Sequence, residues 1–426
     1  MTTALHISSE WERPALPIGD GAATLMIRIV APVVPERAPA NRPPVDLAFV
    51  IDRSGSMAGR PIELAKQAVS QAAGMLDRRD RAALVVYDDH VDVIHPLLPV
   101  DARTRNELRL GLAQVDARGS TNLCDGWLTG CRELARHETP AARGDRIRRS
   151  ILLTDGLANV GERSPDAIFR HATELRQRGI STTTLGMSTN FDDSLLSGMA
   201  EAGGGNYVYL ESASQLAHTF ERELGRLTAT TATKVNFRLL LPEGLHGELI
   251  SRFPVERSGH RFDVAIDDLV SGDEVSLIFE LTGRDLRAGD RLPIECSLRW
   301  TDPVSGDRRT DTAPVTPLEV IDDRLYATMP GLADVSAQAA IQHAALDQRR
   351  AMELDRAGRY AESRALHTQA FDVLSAAPLQ AADQHLRDEA QTYAKYDTNI
   401  AFSENDRKRA ASDSFNRTRR RKIDES

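Results

Sequence analysis

The sequence predicts a multi-domain α/β protein: a doubly wound, mostly parallel sheet inserted in an antiparallel β-sandwich and followed by a small C-terminal helical bundle. Three observations predict it. From 45 to 228, short apolar runs alternate with helical patterns, which implies a parallel sheet covered on both faces. From 229 to 322, apolar residues recur at every second position in several runs separated by turn residues, the mark of half-buried antiparallel strands. From 332 to 398, the chain turns Ala-rich with a helical period.

The bulk numbers are compatible with this. A chain of 426 residues, 41% hydrophobic and 27% charged, is ordinary for globular protein and long enough for two or three domains. A net charge of −9 argues against a nucleic-acid-binding body. Cys124 and Cys131 lie seven apart on one predicted helix, roughly 10 Å along its axis, too far for a disulfide. With Cys296 the count is odd and lacks metal spacing, so we expect a reducing, cytoplasmic setting. The N-terminus has neither the basic nor the apolar region of a signal peptide, and no run of about 18 apolar residues exists to span a membrane.

In chain order, Leu5–Trp11 reads as a short strand. In a second strand Leu25, Ile27 and Ile29 occupy one face and Met26, Arg28 and Val30 the other. Residues 32–44 are Pro-rich and read as an extended linker. The run Leu47–Ile51 follows, five apolar residues that predict a strand buried on both faces. It ends in Asp52-Arg53-Ser54-Gly55-Ser56, and a helical pattern starts at Pro61, a residue suited to a first helical turn. A polar loop between a buried strand and a helix is where open α/β sheets bind ligands. The loop offers one carboxylate and two hydroxyls at i, i+2 and i+4, hard oxygens suited to Mg²⁺, Mn²⁺ or Ca²⁺. Gly119-Ser120-Thr121-Asn122 opens a second helical stretch, and Ile151–Thr154 is a further apolar strand ending in Asp155. Taken singly, each residue has a plainer reading: Ser54, Ser56 and Thr121 as helix caps, Asp155 as a turn residue before Gly156.

Together, Asp52, Ser54, Ser56, Thr121 and Asp155 resemble, in order and flanking strands, the five positions of the metal-ion-dependent adhesion site (MIDAS) of von Willebrand factor type A (VWA) domains. The resemblance covers about 45–228 and implies a Rossmann-like domain. It implies direct metal bonds from Ser54, Ser56 and Thr121, with Asp52 and Asp155 acting largely through water. It also implies a protein ligand that presents an Asp or Glu to a bound Mg²⁺. Asn122 is placed to steady the Thr121 loop. Asp125 offers outer charge, although capping or solvation is the plainer role. Ala83–Tyr87 and Val91–Ile94 look like the hairpin of that domain's sheet, whose edge strand runs antiparallel. Further strands are expected at 150–154, 181–186 and 206–210, and helices at 103–114, 122–137, 165–178, 191–202 and 213–228.

That sheet is then complete, so residues 1–44 must pair elsewhere. We expect them to join the sandwich of 229–322, whose alternating runs include Val235–Leu241, Phe262–Ile266, Val275–Leu281 and Leu292–Trp300. This architecture resembles bacterial cousins of inter-α-trypsin inhibitor heavy chains and proteins named calcium-activated chloride channel homologues. Without a membrane span a channel role is not expected. In the helical part (323–400), Val335, Ala339, Ile341, Leu346, Met352 and Leu354 mark one helix. Gly358 breaks it, a second follows to Leu374, and a third is expected over 379–396. The turn around Gly358 resembles a tetratricopeptide hairpin, but one unit is too few for a solenoid. The tail, 401–426, has basic clusters at Arg407–Arg409 and Arg417–Lys422 and reads as disordered.

An enzyme is the competing class, since metal and carboxylates activate water in hydrolases. None of the eleven histidines forms a metal-type pair, and phosphate-loop, nucleophile-elbow and H-E-x-x-H motifs are absent. A third reading is a cytoplasmic scaffold for a MoxR-type AAA+ ATPase, after other bacterial VWA-like proteins. The expectation from sequence is a metal-dependent protein-binding module.

Overall fold

The structure, a computed structural model, describes residues 4–34, 42–136, 146–155, 158–187, 192–210, 225, 229–380, 384–394 and 408. The helix expected at 213–228 lies outside the described residues except for Gly225, and so does the expected tail except for Lys408, which is buried. Most of the expected linker, from 35 to 41, is also outside them.

The chain starts with β1 (His6–Trp11), β2 (Ala15–Pro17) and β3 (Gly19–Val30). It then enters the α/β unit: β4 (Val45–Asp52), α1 (Arg60–Met75), β5 (Arg81–Tyr87), β6 (Val91–Pro99), α2 (Ala102–Ala113), α3 (Leu123–Ala135), β7 (Ile147–Thr154), α4 (Pro165–Gln177), β8 (Ile180–Met187), α5 (Asp193–Gly203) and β9 (Gly204–Leu210). The sheet order is β6-β5-β4-β7-β8-β9, with only the edge strand β6 antiparallel.

All eight residues of β4 are buried because both of its faces are covered. Val45, Leu47, Phe49 and Ile51 pack against α1 and α2 with Ile62, Val69 and Leu108. Ala48 and Val50 pack the other way, against Trp127 and Cys131 of α3. That second contact depends on two glycines of α3. A Cβ at Gly126 would meet the Tyr87 ring at 2.4 Å, and one at Gly130 would meet Val50 Cγ2 at 2.4 Å. The helix therefore lies close on the sheet, and its N-terminus is held beside the end of β4. Strand order reverses between β4 and β7, which makes the gap beyond their C-terminal ends the switch point of the sheet.

The remaining strands are β10 (Thr230–Leu240), β11 (Leu245–Leu249), β12 (Val255–Ser258), β13 (Arg261–Val270), β14 (Glu274–Leu286), β15 (Arg291–Leu292), β16 (Glu295–Thr301), β17 (Arg308–Asp311) and β18 (Leu318–Ile321). One sheet runs β1-β3-β14-β11, and it shares a core with the sheet β12-β13-β10-β16-β17. The N-terminal strands thus pair across the α/β unit, with Ile27 opposite Leu277. Leu25, Ile27 and Ile29, with Phe279 beside Leu25 in the same sheet, pack into a core shared with Phe237 and Phe262 of the other sheet, as the alternation predicts. A small third sheet, β15-β18-β2, joins β18 and β2 in parallel and has no counterpart in the sequence reading.

The helices α6 (Asp323–Thr328), α7 (Ala333–Arg356), α8 (Tyr360–Ala376) and α9 (Gln384–Ala394) complete the fold. The apolar positions of α7 serve two faces rather than one. Val335 packs on Met26, Ile250 and Ile278 on the outer side of the sandwich, whereas Ile341 and Ala344 pack with Ala370, Leu374 and Leu386 inside the bundle. Gly358, at φ 75°, turns the chain between α7 and α8. No described helix is long and apolar enough to cross a membrane.

Candidate metal centre

Three loops converge at the switch point, and backbone hydrogen bonds tie them together. Arg118 N donates to Arg53 O at 2.7 Å and Gly55 N donates to Gly119 O at 3.1 Å, which joins the 119–122 loop to the loop after β4. Asn159 N and Val160 N donate to Thr121 O at 3.0 and 3.1 Å, which joins it to the loop after β7.

Inside this junction Asp52 is fully buried. Its Oδ1 accepts from Ser54 N at 2.8 Å, and its Oδ2 accepts from the Thr154 hydroxyl at 2.6 Å. The Ser56 hydroxyl donates to Asp155 Oδ1 at 2.8 Å and lies 3.1 Å from Ser54 Oγ. Ser54 and Ser56 therefore do not cap a helix. The N-cap of α1 is Gly59, and Ser54, which precedes the short 3₁₀ turn 55–57, makes no capping bond there. Thr121 is buried one position before Asn122, the N-cap of α3. Asn122 Nδ2 donates to Asp125 Oδ2 at 2.9 Å, and Asn122 N donates to Asp88 O at 2.8 Å. Asp125 is exposed. Asn122 Oδ1 is buried with no hydrogen-bond partner.

The electrostatics are those of a site short of positive charge. Burial pushes the Asp52 carboxyl up to about 6; the hydrogen bonds from Thr154 and Ser54 oppose this, and the Asp155 charge adds to it. Burial also raises Asp155, against the pull of the Ser56 hydroxyl. Two carboxylates and two hydroxyls gathered around one small space are hard oxygen donors, and they fit a divalent cation of the Mg²⁺, Mn²⁺ or Ca²⁺ type.

A feature the sequence reading missed lies beside them. Arg53 is buried, and it donates Nε to Asp88 Oδ2 at 2.9 Å and Nη2 to Asp92 Oδ2 at 2.5 Å. Arg118 Nε reaches the same Asp88 oxygen at 2.8 Å. Burial alone would raise Asp88; bonds from Arg118, the His90 amide and Arg53 hold it below the ordinary carboxylate range. Asp88, Asp89 and His90 bring ligand-type atoms within 4.8 Å of one another. With two guanidinium groups already on Asp88, this trio is better suited to strapping the loops than to holding a dication. The only sequence signal for it was a strand ending in two acids.

Known proteins share the domain and the fold. Residues 46–222 match the family model of the von Willebrand factor type A domain. An uncharacterized protein of Synechocystis sp. is 25% identical over 65% of this chain and 66% of its own length. An uncharacterized protein of Escherichia coli is 26% identical over 65% of this chain and 48% of its own length. Human inter-alpha-trypsin inhibitor heavy chain H4 is 32% identical over 46% of this chain and 23% of its own length. The matches thus span less than two thirds of each of these relatives. Among solved structures, a von Willebrand factor type A protein from Catenulispora acidiphila superposes with a TM-score of 0.69 at 17% identity, covering 92% of this chain and 89% of the other. The ArnB paralog VWA2 from Sulfolobus acidocaldarius gives 0.63 at 14% identity, covering 98% of both chains. At these identities the two structures speak for the fold alone. Family model, relatives and fold agree on one assignment: residues 46–222 are a von Willebrand factor type A domain.

Proposed function

We propose that Asp52, Ser54, Ser56, Thr121 and Asp155 form a metal-ion-dependent adhesion site for Mg²⁺, with Mn²⁺ or Ca²⁺ as substitutes, and that the protein binds a partner through it. Asn122 and Asp125 support the loop that carries Thr121. The observation that carries the reading is the Ser54–Ser56–Asp155 chain of contacts beside the buried Asp52 carboxylate. Side chains from separate loops converge there with an excess of negative charge.

The chemistry favours binding over catalysis. The three hydroxyls are neutral ligands, so they leave a divalent ion incompletely neutralised, and Mg²⁺ needs six oxygens in near-octahedral array. Water fills the remaining positions, and a partner's Asp or Glu carboxylate replaces one water and supplies the missing charge. No bond in the partner is broken. We further propose a modular reading of the chain: 45–228 recognises the partner, while the sandwich of 1–44 and 229–322 and the helices of 323–400 position that surface.

The test is calorimetric titration of the metal-free protein with Mg²⁺ and Mn²⁺, in wild type and in the Asp155→Ala and Thr121→Ala variants. One site per chain, weakened at least tenfold in both variants, is the expected result. Equal binding in all three sinks the proposal. Affinity capture in Mg²⁺ and in chelator, with wild type and Asp52→Ala, then identifies the partner as the protein lost in both the chelator and the variant samples.

A further inference from the structure

Tyr87 ends β5 beside the metal centre. Asp52 is its register partner across β4 and β5, and Arg53 N donates to Tyr87 O at 2.8 Å. On the other side of β4, Ile51 pairs with Leu153, so the next position sets Thr154 beside Asp52, where its hydroxyl bonds the carboxylate. Partners in a parallel ladder point to the same face, and side chains alternate along each strand. Ala48 and Val50 point toward α3, so Asp52 does as well. Tyr87, Asp52 and Thr154 therefore form one row under α3, a carboxylate flanked by two hydroxyl-bearing side chains.

The two hydroxyls are used differently. That of Thr154 donates to Asp52 Oδ2 at 2.6 Å. Tyr87 is fully buried, and its hydroxyl has no hydrogen-bond partner among the described residues. It is nonetheless close enough to the centre to respond to it. Burial, and after it the Asp52 charge, raise the phenol well above its ordinary pKa of 10; the Thr154 hydroxyl opposes this and the Asp155 charge adds to it.

A buried donor without a partner is costly, and phenylalanine would fill the same space without that cost. Nor is the ring free to swing toward another partner. It packs with Leu123 and Trp127, and it lies so close to Gly126 that one added carbon there would meet it at 2.4 Å. The part able to re-aim is the Asp52 carboxylate, held in this state by Ser54 N and the Thr154 hydroxyl.

We propose that Tyr87 is a positioning residue of the metal centre, whose hydroxyl donates to Asp52 when a divalent cation is bound. This inference rests on the metal reading above. An ionised carboxylate has about four acceptor sites, and the bonds from Ser54 N and Thr154 leave room for another. A bond from a buried phenol to that carboxylate is charge-assisted and shielded from water, so it is stronger than one between neutral groups. Thr154 thus serves the metal-free form, and Tyr87 adds its bond only in the loaded form.

The experiment compares wild type, Tyr87→Phe and Thr154→Val as full chains. Each is titrated calorimetrically with Mg²⁺ and Mn²⁺, and each is unfolded with urea in chelator. Tyr87→Phe is expected to be at least as stable as wild type in chelator, yet to bind the metal about tenfold more weakly. Thr154→Val should already lose stability in chelator. Adding Mg²⁺ to wild type should produce a tyrosine ultraviolet difference spectrum that Tyr87→Phe lacks. Equal metal affinity in wild type and Tyr87→Phe overturns the proposal. So does a Tyr87→Phe variant less stable than wild type in chelator, because the hydroxyl would then be bonded without metal. Undiminished stability of Thr154→Val in chelator also overturns it, since the two hydroxyls would not divide the work as stated. A wild type that binds neither ion removes the metal reading and this inference together, whereas the other outcomes leave the metal reading standing.

Discussion

The hydroxyl of Thr154 donates to Asp52 Oδ2 at 2.6 Å, joining residues 102 positions apart at the ends of two neighbouring parallel strands. This bond holds a carboxylate that burial has made reluctant to ionise, with its pKa pushed up to about 6 from an ordinary 3.8. Between those values the folded, metal-free chain binds more protons than the unfolded chain, so stability falls as pH rises from about 4 to about 6. The whole drop is on the order of 3 kcal/mol. Asp52→Asn should flatten that pH window and be more stable than wild type at pH 7 in chelator. In Mg²⁺ the wild type should recover and the variant should not respond. Urea unfolding at pH 4.5 and 7, with and without Mg²⁺, checks both statements.

The buried strap at Arg53 gives a second expectation. Asp88→Ala leaves the buried Arg53 guanidinium with the half-exposed Asp92 as its remaining carboxylate partner. We expect a loss of about 2–4 kcal/mol, far above the typical surface pair. The double variant Arg53→Met, Asp88→Ala should restore much of it. Chemical denaturation of the two single variants and the double variant completes the cycle.

At Gly126 the prediction is geometric. A methyl group there meets the Tyr87 ring at 2.4 Å, so α3 must lift from the sheet. Gly126→Ala should cost about 1–3 kcal/mol from overpacking, despite the better helix propensity of alanine. Because α3 starts next to Thr121, Mg²⁺ affinity should fall as well. An equilibrium unfolding curve and a Mg²⁺ titration of the same variant read out the two effects.

The helices dock on the sandwich partly through His343, whose Nε2 lies 2.6 Å from Glu280 Oε1. The Glu280 bond raises the His343 pKa above 6.5 despite burial, and the His343 bond lowers Glu280 below 4.5. The histidine's contribution is complete below its unfolded pKa and disappears as pH rises through its folded value. The contribution of Glu280 is complete above its unfolded pKa and disappears as pH falls through its folded value. Both side chains are more than a third exposed, so solvent screening holds the pair below about 1 kcal/mol. Protection factors in α7, which remove the intrinsic pH dependence of exchange, should fall in wild type as pH rises through the folded His343 pKa, and His343→Gln should remove that fall.

Much of the α/β unit was readable from residue order because its signals are local. Leu47–Ile51 could be recognised as a strand because an unbroken apolar run requires two covered faces, and the fold covers both. The pairing of the N-terminal strands with the sandwich followed from elimination, since β3 had an apolar face and no partner nearby. Other features were silent for physical reasons. All four residues of β12 are exposed, so no alternation marks it. The parallel β2–β18 pair involves three residues of each strand, too short for a period to register. Helix α7 carries two apolar faces, and the reading that put Val335 and Ile341 on one helix did not say that they serve different neighbours. Nothing in residue order singles out Arg53, because its partner Asp88 is 35 positions away. At the centre itself, the order of Asp52, Ser54, Ser56 and Asp155 was visible in the chain; the hydroxyl of Thr154 on Asp52 needed the strand register.

The pairing of β3 with β14 bears on how the chain reaches this state. Arg28 meets Glu274 across 246 positions, and the intervening segment is mostly a domain with its own cores. During synthesis β3 emerges paired with β1 on one edge and must wait, its other edge unsatisfied, until β14 follows more than two hundred positions later. Such distant closure is slow by loop entropy, and exposed strand edges invite aggregation meanwhile. Prior folding of the inserted domain shortens the effective loop by bringing its two ends together. The α/β domain thereby acts as the template on which the sandwich is assembled.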